Sequence, residues 1–242
     1  HLLRSHLMTR TPLGKCRTVE LLSAADAIAF DVDSTVQPHE GIDKLAEYCG
    51  KLMEVRQMTA AAMQGSILFQ DALRLRLDII RPSKQQFSHV AGQSVQLVPG
   101  VGQLISMLKA LEKDVFLVSG GFRRMVDPVA DQLNIPSDHV FANVLRFNED
   151  GSFGSFDENE LTSRSGGKRR VLELIASKFG YKNMIMIGDG MTDMEACPPA
   201  SAFIGFGGIE VRDSVRQGCD WFVYEFQEII DALSSSNQMC AK

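Results

Sequence analysis

Apolar positions along this chain follow two alternating rhythms. Ala27-Ile28-Ala29-Phe30 is a short, unbroken apolar run, the pattern of a strand covered on both faces. Val115-Phe116-Leu117-Val118, Val140-Phe141-Ala142, Met184-Ile185-Met186-Ile187, Ala202 to Phe206 and Trp221 to Val223 repeat it. Between these runs the spacing becomes helical. Val101, Leu104, Ile105, Leu108 and Leu111 share one face; so do Phe122, Met125, Val126, Val129, Ala130 and Leu133, and so do Val171, Leu174, Ile175 and Phe179. Pro128 falls within the second of these helices and is expected to kink it or to move its start later. Short strands alternating with helices predict an α/β fold built on a doubly wound parallel sheet.

Two stretches break this rhythm. Between about residue 40 and about residue 92 no strand run appears; Ile42, Leu45, Ala46, Cys49 and Met53 mark one helix, and Phe69, Ala72, Leu73, Leu77 and Ile80 another. Further on, Val144 to Phe147 and Ser152 to Phe156 flank Asn148-Glu149-Asp150-Gly151, a hairpin composition. The expected organisation is an α/β core of residues 20–39 and 93–242, a helical cap of residues 40–92 above the strand ends, and an extension of residues 1–19 outside the fold.

In a parallel sheet ligands bind beyond the carboxyl ends of the strands. Three predicted strand ends carry polar clusters: Asp31 with Asp33, Ser119 with Gly120, and Asp189 with Asp193. Two acids one residue apart point the same way and repel unless something positive lies between them. An all-oxygen set of this kind suits a hard divalent cation such as Mg²⁺. Lys168 and the backbone N–H groups around Ser119-Gly120-Gly121 would then hold phosphoryl oxygens. An EF-hand reading fails, because Val36 stands where the loop needs Gly and Ile42 where it needs Glu. Gly188-x-Gly190 and Gly205-x-Gly207 lack the third glycine of a dinucleotide site.

Arg76 lies seven residues after Phe69, on an otherwise apolar helix face. A guanidinium there needs an anion, and a carboxylate fork would supply one.

Composition narrows the partners. The 242 residues include 25 Lys and Arg against 30 Asp and Glu, a formal charge of −5, and the scattered basic residues argue against a nucleic-acid surface. No apolar run approaches the roughly 20 residues of a membrane span. Five cysteines without C-x-x-C spacing fit a reducing compartment, so a cytoplasmic protein is expected. The first 19 residues hold four basic side chains and no acid, which leaves the tail of an organelle transit peptide as the alternative to a plain extension starting at Met8.

Asp31-Val32-Asp33-Ser34-Thr35, Ser119-Gly120-Gly121, Lys168 and Gly188-Asp189-Gly190-Met191-Thr192-Asp193, in that order, resemble the motifs of the haloacid dehalogenase (HAD) superfamily of phosphatases. FDVDSTV, EGIDKLAEYCG, VFLVSGGF, SGGK and MIGDGMTDMEACPPA are similar, more narrowly, to the branch that cleaves O-phospho-L-serine, over about residues 24 to 232. The resemblance implies a Rossmann-like HAD core with a helical cap after the first strand and a short β-hairpin flap. It also implies a Mg²⁺-dependent hydrolysis of phosphoserine, the last step of serine biosynthesis, with another small phosphomonoester (a sugar phosphate or a nucleotide) as the alternative substrate. By the same resemblance Asp31 is the nucleophile and Asp33 the acid and base. Asp31, the backbone carbonyl of Asp33 and Asp189 hold Mg²⁺, and Asp193 orients that set. Ser119, Gly120 and Lys168 bind phosphate. Glu40 meets the substrate ammonium and Arg76 its carboxylate, while Met63, Phe69, Asn143 and Thr192 line the pocket. Gln64 stands where the family usually has a glycine, with Gly65 beside it. The expected partner is this small molecule alone, met by a monomer or a homodimer, with no nucleic acid and no membrane.

Overall fold

All four residues of Ala27–Phe30 are buried, and so are all five of Met184–Gly188 and of Ala202–Phe206. Unbroken apolar runs of this kind can only sit inside a sheet covered on both faces. The computed structural model describes residues 11–64 and 67–240, with the side chains of 59–64 and 237–240 excepted. Its strands are β1 (Ala27–Phe30), β2 (Asp114–Phe122), β3 (Val140–Asn143), β4 (Leu145–Phe147), β5 (Phe153–Phe156), β6 (Met184–Gly188), β7 (Ala202–Phe206) and β8 (Trp221–Val223). Six of them form one sheet in the order β3-β2-β1-β6-β7-β8, every pairing parallel, while β4 and β5 make a separate antiparallel ribbon.

The chain runs outward from β1 to β2 and β3, then returns to β6 on the other side of β1. The strand order therefore reverses beside β1, where a crevice opens in doubly wound sheets. Phe30 is level with both Leu117 and Ile187. Asp31 to Asp33, the Ser119–Gly121 stretch near the end of β2 and Asp189 thus lie at nearly one height.

The helices are α1 (Lys15–Ser23), α2 (Gly41–Tyr48), α3 (Leu52–Gln64), α4 (Phe69–Ile80), α5 (Lys84–Ala91), α6 (Val101–Ala110), α7 (Arg123–Gln132), α8 (Gly167–Phe179), α9 (Met191–Met194), α10 (Asp213–Gly218) and α11 (Phe226–Cys240). Ile28 and Phe30 of β1 pack with Leu22, Leu104, Val129 and Ile229, from α1, α6, α7 and α11. Ala27 and Ala29 face the other way, toward Val171, Ile175 and Val215 of α8 and α10. Alternate residues of one strand thereby feed two cores.

Helices α2 to α5 are inserted between β1 and β2. Their own core joins Leu45, Leu73, Leu77 and Phe87 to Phe122 at the end of β2 and to Leu145, Phe153 and Phe156 of the ribbon. The backbone N–H of Lys84 donates to the carbonyl of Gly151 in the ribbon's turn, at 2.9 Å.

Three features depart from the sequence expectation. The single helix expected through Met53 stops at Tyr48. Gly50 has φ of +69°, a left-handed turn that ends α2, and Met53 on α3 is exposed. Helix α7 starts at Arg123, without waiting for Pro128, which sits at its sixth position. There the missing N–H removes the bond to the carbonyl of Arg124. Helix α1 begins at Lys15, inside the expected extension of residues 1–19, because Thr18 and Leu22 are buried. Residues 1–10 lie outside the described residues.

A Cβ at Gly50 meets nothing within 4 Å, so only its backbone conformation resists substitution. Gly50→Ala is expected to lower the stability in urea unfolding by about 1 kcal/mol, with unchanged secondary structure.

Candidate active site

The acidic motif sits where β1 runs out. Asp31 extends the sheet by one more bond, its N–H donating to the carbonyl of Ile187 at 2.9 Å. The chain then folds back on itself through N–H bonds from Val36 and Gln37 to the carbonyl of Val32. That turn presents Asp33 to the start of α2. Its Oδ1 accepts from Gln37 Nε2 at 2.7 Å and from the Gly41 N–H at 3.2 Å. Its Oδ2 lies against Gly121, where a Cβ would come within 2.8 Å of it; only glycine lets the end of β2 approach so closely.

Lys168 occupies the first turn of α8 and is buried. Its Nζ lies 2.6 Å from Asp31 Oδ1 and 2.6 Å from Asp193 Oδ1. Asp193 is further held by the Gly190 N–H, which donates to Oδ2 at 3.0 Å. Asp189 accepts from Arg212 Nε at 3.0 Å. Oxygens of Asp31, Asp189 and Asp193 all lie within 4.8 Å of one another.

The electrostatics follow from this crowding. Burial, then the charge of Asp193, pushes the Asp31 carboxyl well above its usual range, against the pull of Lys168. Burial likewise raises Asp33 and Asp193. Burial alone would lower the Lys168 ammonium, but the carboxylates of Asp193 and Asp31 outweigh it and raise its pKa. The site therefore holds more buried negative charge than its cations satisfy. An all-oxygen donor set with that imbalance fits a hard divalent cation, so Asp31, Asp189 and Asp193 are the residues that could hold a metal ion.

Above them a cleft of about 920 Å³ lies between sheet and insertion. Asp31, Asp33, Gly120, Lys168, Asp189, Thr192 and Asp193 line it from the sheet side, and Glu40, Phe69 and Arg76 from the insertion side. The Arg76 Nε–H donates to the carbonyl of Ala72 at 3.3 Å, and burial lowers the guanidinium's pKa. Burial, then the charges of Asp33 and Asp189, pushes the Glu40 carboxyl up to about 7.

Ser119, expected to bind phosphate, and Asn143, expected to line the pocket, are both engaged with neighbouring residues here. Ser119 is fully buried and its Oγ accepts from the Gly121 N–H at 2.9 Å. Asn143 is also fully buried; its Nδ2 donates to the carbonyl of Gly120 at 2.7 Å and its Oδ1 accepts from Thr162 Oγ1 at 2.8 Å. Ser119 thus braces the turn at Gly121, and Asn143 ties the Gly120 backbone to the Thr162 side chain. The side chains of Met63 and Gln64, and Gly65 altogether, lie outside the described residues.

Sequence reasoning missed Arg212, which reaches Asp189 and comes within 4.0 Å of Glu40. Its flanks, Glu210 and Asp213, give the look of a solvated turn, and no motif marks it. The seam between insertion and core was missed as well. The Phe69 N–H donates to Ser165 Oγ at 3.0 Å, the Ser165 N–H donates to Gln70 Oε1 at 3.1 Å, and Arg74 pairs with Glu158 at 2.7 Å. Ser165 is three residues from Lys168, so this seam ties α4 to the loop that carries the lysine.

A doubly wound parallel sheet with a buried acid–lysine cluster at its switch point defines an α/β protein with a metal- and anion-binding crevice. The sequence matches the family of haloacid dehalogenase-like hydrolases over residues 25–200. It is 49% identical over 214 residues to a phosphoserine phosphatase of Bos taurus, covering 88% of this chain and 95% of that protein. It is 44% identical over 218 residues to a chloroplastic phosphoserine phosphatase of Arabidopsis thaliana, covering 89% and 74% of the two chains. Among solved structures, a phospho-aspartyl intermediate analogue of phosphoserine phosphatase superposes with a TM-score of 0.74 at 27% identity, covering 86% of this chain and 98% of that one. This chain belongs to the haloacid dehalogenase-like hydrolases.

The raised carboxyl of Glu40 gives a pH test in metal-free buffer. An acid whose pKa rises on folding stabilises the fold while protonated, and that contribution is lost as pH climbs from its unfolded value to its folded one. For Glu40 the window runs from 4.5 to about 7. Thermal unfolding of the metal-free protein is expected to fall in temperature across that window, and Glu40→Gln to shrink the fall.

Proposed function

We propose that this chain hydrolyses O-phospho-L-serine to L-serine and phosphate through an aspartyl-phosphate on Asp31. The observation that carries the reading is the placement of Asp31, clasped by Lys168 at 2.6 Å, in a cleft whose opposite wall bears Glu40 and Arg76. A carboxylate nucleophile meets a phosphomonoester on the sheet side. On the other side a carboxylate and a guanidinium match the ammonium and carboxylate of an amino acid. The phosphoserine phosphatases to which the chain is similar support the same substrate.

In the first step an oxygen of Asp31 attacks phosphorus, the bond to the serine oxygen breaks, and Asp33 gives its proton to the departing oxygen. In the second step Asp33, now a carboxylate, takes a proton from water as that water attacks phosphorus. The bond to Asp31 breaks and phosphate is released. Lys168 and the N–H groups near Gly120 hold the non-bridging oxygens, and Ser119 and Asn143 fix the backbone that offers them. Gln37 and Gly41 hold Asp33 in place for both transfers. Asp31, Asp189 and the carbonyl of Asp33 would bind Mg²⁺, oriented by Asp193; when bound it offsets the charge of the acids and of the phosphate. Helices α2 to α5 act as a cap that excludes water. The reaction is the last step of serine biosynthesis, placed in the cytoplasm and carried out by a monomer or homodimer.

A phosphate-release panel over small phosphomonoesters, with and without Mg²⁺, tests this. Phosphoserine should be the preferred substrate and Mg²⁺ required; preference for a sugar phosphate or a nucleotide would overturn the assignment. Asp31→Asn is expected to abolish turnover while thermal unfolding stays cooperative. Arg76→Ala is expected to raise KM for phosphoserine by one to two orders of magnitude, consistent with loss of a roughly 1.5–3 kcal/mol charged hydrogen bond, and to leave hydrolysis of an aryl phosphate far less affected.

A further inference from the structure

A second cavity, of about 420 Å³, opens between α5, α7 and the ribbon. Asn143 is the partition between it and the catalytic cleft: it lines the second cavity and bonds to Gly120 and Thr162, both of which line the first. Three cations, Lys84, Arg123 and Arg124, meet one carboxylate, Asp127, around this cavity. Arg123 is already engaged, donating to the carbonyl of Val140 and lying 3.6 Å from Asp127 Oδ1. Among the described residues no ion pair is found for Lys84 or Arg124. Asp127 Oδ1 is buried and accepts no hydrogen bond. The apolar part of the lining includes Phe87 and Phe147, whose ring centroids are 5.8 Å apart.

Each of these features asks for a different part of one ligand. Two uncommitted cations ask for an anionic group, the Asp127 carboxylate that lines the cavity asks for an O–H or N–H donor, and the aromatic rings ask for a flat apolar body. The volume lies within the range of small-molecule sites. We propose that this cavity binds a small aryl carboxylate carrying a hydroxyl or amino group, and that such a ligand alters turnover through Asn143 and Gly120. The second clause rests on the proposed hydrolysis; the first does not.

The probe is 4-hydroxybenzoate, titrated calorimetrically into the full chain. Saturable binding near one equivalent is expected, roughly tenfold tighter than that of benzoate, which lacks the donor. Lys84→Ala with Arg124→Ala, both exposed side chains outside the catalytic machinery, should weaken binding by about tenfold or more and leave basal phosphate release unchanged. Saturating 4-hydroxybenzoate should change kcat or KM in the parent chain and not in the double variant. No saturable binding, or binding that the double variant keeps in full, overturns the site. Binding with unaltered kcat and KM overturns the coupling. Binding in a chain that releases phosphate from no substrate leaves the site standing and overturns the hydrolysis instead.

Discussion

Everything at the carboxyl edge of this sheet turns on how few cations serve how many buried acids. Lys168 holds Asp31 and Asp193, and Arg212 holds Asp189. Against those attractions stand the mutual repulsions of three carboxylates within 4.8 Å, each roughly 3–4 kcal/mol at the effective dielectric of a protein. The three attractions, at 2.6, 2.6 and 3.0 Å, are each larger, about 5–6 kcal/mol on the same scale, but they must also offset the cost of taking acids and cations out of water. The upward shifts of Asp31, Asp33 and Asp193 express that cost. A divalent cation held by these acids would lower it.

The fold supplies this crowding through register. Because Phe30 is level with Leu117 and Ile187, three separate chain segments deliver their polar residues to one line. The core beneath is made of residues that alternate between two clusters, which holds the strands at fixed height. A slip of one residue would exchange the two faces and bury the acids in hydrocarbon.

Much of this was legible in the sequence, for physical reasons. The strands could be read because buried parallel strands are unbroken apolar runs, and their polar ends then marked the crevice. Arg76 could be read because a charge on an apolar stripe demands explanation. Arg212 could not, since its neighbours Glu210 and Asp213 make an ordinary exposed turn until the chain is folded. The bonds that hold Ser119 to Gly121 and Asn143 to Gly120 could not be read, because they depend on where the folded chain places those side chains. The break at Gly50 was hidden because the apolar spacing runs on through it, and only a positive φ reveals the turn. The seam at Ser165 joins residues nearly a hundred apart in the chain, beyond the reach of any local pattern.

The core shared by the inserted helices and the ribbon bears on how the molecule can be rebuilt. Leu73, Leu77 and Phe87 rest on Phe122, Leu145, Phe153 and Phe156, so neither segment has a finished surface without the other. Excising α2 to α5 would strip four large side chains of their cover and invite aggregation. Grafting a foreign insertion to redirect selectivity would leave mismatched packing unless the donor's ribbon travelled with it. The two pieces, distant in the chain, constitute one exchangeable unit.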